Sequence, residues 1–156
     1  MSRRLVAGIV LITLCIAADK ERSTKPTLLP EENTILELTN KARAEEKLAP
    51  LKLNATLTEV ARAHSHNMAD KGEMNHVLDG KNPAERIRAA GYKYSSCAEN
   101  IAMGENVSLP EIFEAWMKSK GHRENIMKPE FREIGIGIAR DPKGRVYYTQ
   151  EFGKSR

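Results

Sequence analysis

Ile134-Gly135-Ile136-Gly137-Ile138-Ala139 is the stretch that decides the fold. Its period is two, with bulky branched side chains on one face and little more than hydrogens on the other. Such a strand packs a core with its isoleucine face and lets a second element approach closely on its bare face. Asp141-Pro142-Lys143-Gly144 follows as turn chemistry, and Val146 to Phe152 returns as a second strand, which predicts an antiparallel hairpin. Ser96 to Ala102 reads as a third strand.

Upstream of these strands the apolar period is helical. Pro30-Glu31-Glu32 suits a helix start, proline fitting the first turn and the acids facing the positive end of the dipole. Ile35, Leu38, Thr39 and Ala42 then repeat at helical spacing, and the segment ends after Lys47, before Pro50. Arg43-Ala44-Glu45-Glu46-Lys47 reads as a solvated face. A second helix over 58–71 carries the stripe Leu57, Val60, Ala61, His64 and Met68, with Arg62, His66 and Asp70 opposite. His64 is therefore expected to be buried with a hydrogen-bond partner, and His66 exposed. Asn82-Pro83-Ala84-Glu85 predicts a capped third helix ended by Gly91. Ser108-Leu109-Pro110-Glu111 caps a fourth, running through Lys120 to a break at Gly121. The fold class is α+β: a small antiparallel sheet of about three strands flanked by helices, without internal repeats.

A chain of 156 residues, 40% hydrophobic, supplies one core. Arg3 and Arg4 precede an apolar run from Leu5 to Ala18, shorter than the roughly 20 residues a membrane span needs. Residues 1–18 read as an export signal cleaved near Ala17 or Ala18, an uncleaved anchor being the alternative. Residues 19–29 read as a flexible leader and 30–156 as the folded domain. Cleavage removes two arginines and no acid, so the formal charge falls from +4 to +2, and with basic and acidic residues interspersed no nucleic-acid partner is expected. It also removes Cys15, leaving Cys97 without an internal partner: a buried small hydrophobe at a strand start, or else an intermolecular bridge or reactive thiol.

Chemistry-bearing side chains collect in three places: His76, then Glu99 within Ala98-Glu99-Asn100-Ile101, then the run from Trp116 to Ile126 that holds His122. Two imidazoles and a carboxylate can bind a divalent metal or share a proton. No H-E-x-x-H metallopeptidase helix and no G-x-S-x-G nucleophile elbow occurs, and nothing around Cys97 matches a cysteine protease. A His/Glu proton-transfer site stays open without an identifiable nucleophile. Equally open is a structural Glu99 that caps backbone amides or pins a loop.

Those segments, with Asn40-Lys41-Ala42-Arg43, Pro50-Leu51, Ala61-Arg62-Ala63-His64-Ser65, Met68, Gly91-Tyr92, Gly121-His122-Arg123, Gly135-Ile136-Gly137 and Gln150-Glu151-Phe152-Gly153, stand in an order that resembles the CAP superfamily. This is the cysteine-rich secretory, antigen 5 and pathogenesis-related group, also called SCP-like, here in its small bacterial form without disulfides. The likeness runs from about Glu31 to Gly153. It implies an α-β-α sandwich and a central cleft lined by two histidines and two glutamates, three of which match His76, Glu99 and His122. The fourth position, three residues after Trp116, is Ser119, a neutral hydroxyl and a poorer zinc ligand than a carboxylate. The resemblance further implies a secreted or periplasmic binding module, expected to be monomeric and without a membrane span after signal cleavage. Its candidate ligands are a lipid or sterol, an envelope polymer, a partner protein, or a divalent metal such as zinc held by His76 and His122. A metal-assisted hydrolase or peptidase using His76, His122 and Glu99 is the alternative.

Overall fold

The computed structural model describes residues 27–156; the expected signal segment and residues 19–26 of the leader lie outside the described residues. Its elements are α1 (Pro30–Glu45), β1 (Lys52–Leu53), α2 (Ala55–Lys71), α3 (Pro83–Ala89), β2 (Tyr94–Gly104), α4 (Leu109–Lys118), α5 (Lys120–Met127), β3 (Glu133–Arg140) and β4 (Val146–Ser155). The capping chemistry sits where the sequence places it. Asn82 and Ser108 each accept from the backbone N–H three residues on, while Glu85 and Glu111 reach back to complete the boxes. Helix α2 starts earlier than its apolar stripe suggests, because the Asn54 side chain caps it.

The sheet has the order β1-β3-β4-β2. The expected hairpin is β3–β4, and β2 pairs antiparallel to the far side of β4. The fourth strand, β1, is two residues long, pairs parallel to β3, and is too short to announce itself by periodicity. Helix α2 lies on the bare face of β3, where a Cβ at Gly135 or Gly137 would overlap the backbone carbonyl carbon of Leu57 or Ala61. That close approach is why the two glycines alternate with isoleucines. On the other face Ile134, Ile136, Ile138, Tyr148 and Phe152 pack with Ile35 of α1, Ile112, Phe113 and Trp116 of α4, and Ile126 of α5. The result is an α-β-α sandwich. Among the described residues no helix is long and apolar enough to cross a membrane.

Two local expectations are corrected. The fourth helix breaks at Ser119, whose backbone is extended (φ −85°, ψ 121°), while Gly121 lies inside the first turn of α5. Arg43 is fully buried, not part of a solvated face. Its guanidinium donates to the carbonyls of Ala49 (2.9 Å), Ile126 (2.7 Å), Lys128 (3.1 Å) and Phe131 (3.4 Å), so one side chain satisfies carbonyls at and beyond the end of α5 that the helix leaves unpaired. Charge counting along α1 cannot see that α5, six elements later, ends against it.

Candidate functional site

Side chains of β2 and β4 alternate between the two helical layers, and register makes Glu99 and Glu151 direct cross-strand neighbours, with Gly135 beside Glu151 on β3. Both carboxyls therefore face α2. The Glu99 side chain is completely buried and its two oxygens are taken: His76 Nδ1 lies 2.7 Å from Oε1, and Arg86 Nη2 lies 2.5 Å from Oε2. His76 stands on the loop between α2 and α3, with 47% of its side chain exposed. Arg86 of α3 also donates to the main-chain carbonyls of His76 (2.9 Å) and Lys81 (2.8 Å), so the same guanidinium fastens that loop to the carboxylate beneath it. Glu99 caps no backbone amide; it orients an imidazole and neutralises an arginine.

His64 of α2 completes the ring around Glu99. It is buried as expected, but its Nε2 stops 3.7 Å from Glu99 Oε2, outside hydrogen-bond range, and neither ring nitrogen has a hydrogen-bond partner among the described residues. Burial pushes its pKa down against the pull of Glu99, which keeps it neutral. Glu151 is wholly buried and, among the described residues, no donor reaches either oxygen. Burial, and then the negative charge of Glu99 across the ladder, push its pKa well above the ordinary value. For Glu99 burial works in the same direction, but His76, Glu151, His64 and Arg86 together hold it below its ordinary value. The opposite shifts divide the pair into a group that favours its acid form, Glu151, and one that favours its carboxylate, Glu99. An ionised Glu99 requires the hydrogen on Nδ1 of His76, which leaves Nε2 as the ring's free position.

His122 sits half-buried on α5, which packs against β2. Its main-chain carbonyl accepts from Asn100 Nδ2 (3.1 Å), and Asn125 of α5 donates to the carbonyl of Glu99 (3.3 Å) and to Asn100 Oδ1 (2.9 Å). These bonds lock the start of α5 to the strand residue that holds His76. Burial, and then the charge of His76, lower the pKa of His122, so the two imidazoles sense one another. Ser119 is half-buried at the α4–α5 break and its hydroxyl makes no hydrogen bond among the described residues. A separate cleft of about 370 Å³ between α2 and α3 touches this cluster only through His64 and Arg86; His76, Glu99, Ser119 and His122 do not line it.

The donor set does not fit a catalytic or structural zinc. Among the described residues no three His, Cys, Asp or Glu side chains converge as ligands, and Glu99 is already spent on His76 and Arg86. Two imidazoles fall short of the three or four protein ligands that zinc takes. The residues of the cluster that reading the sequence misses are Arg86 and Glu151; Asn125 pins strand to helix as its place beside His122 suggests. Glu151 had a signal: an acid between Gln150 and Phe152, in a strand buried along both faces, has no solvent to face. Arg86 had none, because its i−1 and i+1 neighbours, Glu85 and Ile87, make it look like an ordinary helix-surface residue.

Residues 36–152 match the family described as Cysteine-rich secretory protein, CAP. The Bacillus subtilis protein YkwD is 35% identical over 143 residues, a match that covers 88% of this chain and 54% of that protein, so the chain spans about half the length of this relative. By structure, an outer surface protein of Borrelia burgdorferi superposes with a TM-score of 0.77 at 21% identity, covering 85% of this chain and 98% of that one. An extracellular protein containing an SCP domain from Bacillus anthracis gives 0.72 at 24% identity, over 83% of this chain and 45% of that one. The bare-faced strand under α2, the four-stranded sheet between two helical layers and the match over most of its length together make the chain a member of the cysteine-rich secretory protein, or CAP, family.

Proposed function

We propose that this chain is an exported CAP domain that works as a binding module, presenting the Nε2 edge of His76 to a ligand outside the cell, with His122 and Ser119 as candidate further contacts. The observation that carries the reading is how the imidazoles are employed. Among the described residues no Ser, Thr or Cys side chain hydrogen-bonds to His76 or His122, so neither has a nucleophile to activate. Burial raises the pKa of the Cys97 thiol, the opposite of what a reactive cysteine needs. What His76 does have is a carboxylate that fixes its tautomer and an exposed far edge, the arrangement of a preorganised hydrogen-bonding or ion-binding group. Export is supported by the apolar segment after Arg3-Arg4 and by structural neighbours described as outer surface and extracellular proteins. The metal-assisted hydrolase reading has no third ligand to build on.

The test is nitrogen-detected NMR of the histidine rings while the full chain is titrated with anionic lipid vesicles and, separately, with soluble envelope polysaccharide. The expected result is a saturable shift of the His76 Nε2 resonance with one probe, and a loss of at least about tenfold in affinity in His76→Ala, the scale of one charged hydrogen bond. Turnover of a peptide or ester panel that His122→Ala abolishes would replace the binding reading with an enzymatic one.

A further inference from the structure

We propose that a second site, separate from His76, binds the phosphate of a phosphorylated polyol or sugar in a cavity of about 340 Å³ lined by Arg88, Gly91, Tyr92, Lys93, Tyr94 and Arg156. The cavity lies where β2 begins, five residues before Glu99, or about 17 Å at the usual rise of a strand. Its volume is at the lower end of small-ligand pockets, with room for a phosphate and the small polar group that carries it.

Charge sets this cavity apart. Three cationic side chains line it and no acidic one does, and none of the three takes part in an ion pair among the described residues. Three other cavities each include at least one acid: Glu59 and Asp79 in the α2–α3 cleft, Asp70 and Asp141 beside the β3–β4 turn, and Glu85 beside α3. A concave wall of unpaired positive charge attracts an anion, and the low-dielectric floor made by buried Tyr92 strengthens that attraction.

The two arginines are also held in place. Arg88 donates from Nη2 to the Tyr94 hydroxyl (2.9 Å) and stacks its guanidinium 5.8 Å from the centre of that ring. Arg156 donates from Nε to the carbonyl of Tyr94 (2.8 Å), and its backbone N–H donates to the carbonyl of Lys93 (3.1 Å). Tyr94 is itself fixed, donating to the carbonyl of Ala84 (3.2 Å) and stacking on Tyr92 at 6.5 Å. Each guanidinium thus spends one side-chain N–H on its anchor and keeps the others free, so little rotamer freedom remains to be lost when a ligand arrives. Two planar forks and an ammonium suit a phosphate, which offers several acceptor oxygens and up to two charges, better than a single carboxylate.

Calorimetric titration of the full chain with glycerol 3-phosphate, with a poly(glycerol phosphate) and with uncharged glycerol tests this. Saturable binding of the phosphate probes and none of glycerol is expected, with Arg88→Ala and Lys93→Ala each weakening it about tenfold or more. Arg88→Lys should recover only part of the loss, since an ammonium lacks the fork. Both positions are exposed, and an unchanged unfolding midpoint will show that the variants remain folded. Tighter binding of the polymer per phosphate assigns the site to a phosphodiester chain, and equal binding assigns it to a free phosphomonoester; either supports the proposal. No saturable heat with either phosphate probe overturns it, as does binding that Lys118→Ala, on another helix, weakens as much as Arg88→Ala does.

Discussion

Replacing Glu99 with alanine is expected to cost about 3–5 kcal/mol of folding stability, the scale of breaking a buried ion pair from one side, read as a lower midpoint in urea unfolding. The loss is large because three groups depend on that carboxylate. Arg86, whose side chain is only 13% exposed, would lose the carboxylate it pairs with, and its Nε already has no acceptor among the described residues. His76 would lose the group that sets its tautomer, and the proton of Glu151 would lose its acceptor. The pH dependence should change with it. Since the folded pKa of Glu99 lies below its ordinary value of 4.5, its contribution is complete above pH 4.5 and disappears as acid takes the pH down through the folded value. The wild-type chain should therefore weaken on acidification below 4.5 by an increment that Glu99→Ala lacks. Equal stability of the two chains at neutral pH would mean that Glu99 is not the keystone the geometry makes it.

How far the sequence reveals this site depends on what each residue's signal is made of. The helices and the antiparallel sheet were legible because they are written in periodicity, with alternating isoleucine and glycine in β3, stripes at helical spacing in α1 and α2, and Asn82 and Ser108 at the caps. Their layering as an α-β-α sandwich came from the family resemblance. His76 and Glu99 were legible as a pair from residue type and the words around them, and they do meet. The rest depends on three-dimensional register, which composition does not encode. Glu151 becomes the neighbour of Glu99 only through the β2–β4 pairing, and Arg86 reaches Glu99 only because α3 packs against β2. Arg43 misled for the same reason: its acceptors are 83 to 88 residues away along the chain as well as six. Periodicity puts the break after α4 at Gly121; the extended backbone at Ser119 instead ends α4 two residues earlier and starts the new helix that carries His122.

The buried acid makes the second large prediction, and its sign is opposite to that of Glu99. Glu151 folds as the neutral acid, whereas in the unfolded chain it ionises at its ordinary value of 4.5. Every pH unit between that value and the raised folded one therefore costs the native state about 1.4 kcal/mol, a cost absent below pH 4.5 and constant above the folded pKa. Glutamine at this position has the same shape, holds no proton to lose, and offers an N–H where the acid offers its O–H to Glu99. Glu151→Gln should thus match the wild type near pH 4.5 and become progressively more stable as the pH rises, the gap widening by about 1.4 kcal/mol per unit across that window. Glu151→Leu removes the donor as well as the titration. It should share the same pH slope yet sit below Glu151→Gln at every pH, since Glu99 then loses one of its three hydrogen-bond donors. Chemical denaturation of the three chains at half-unit steps from pH 4.5 upward separates the two effects. If wild-type and Glu151→Gln profiles run parallel, Glu151 is not the protonated partner of Glu99, and the tautomer of His76 must be set without it.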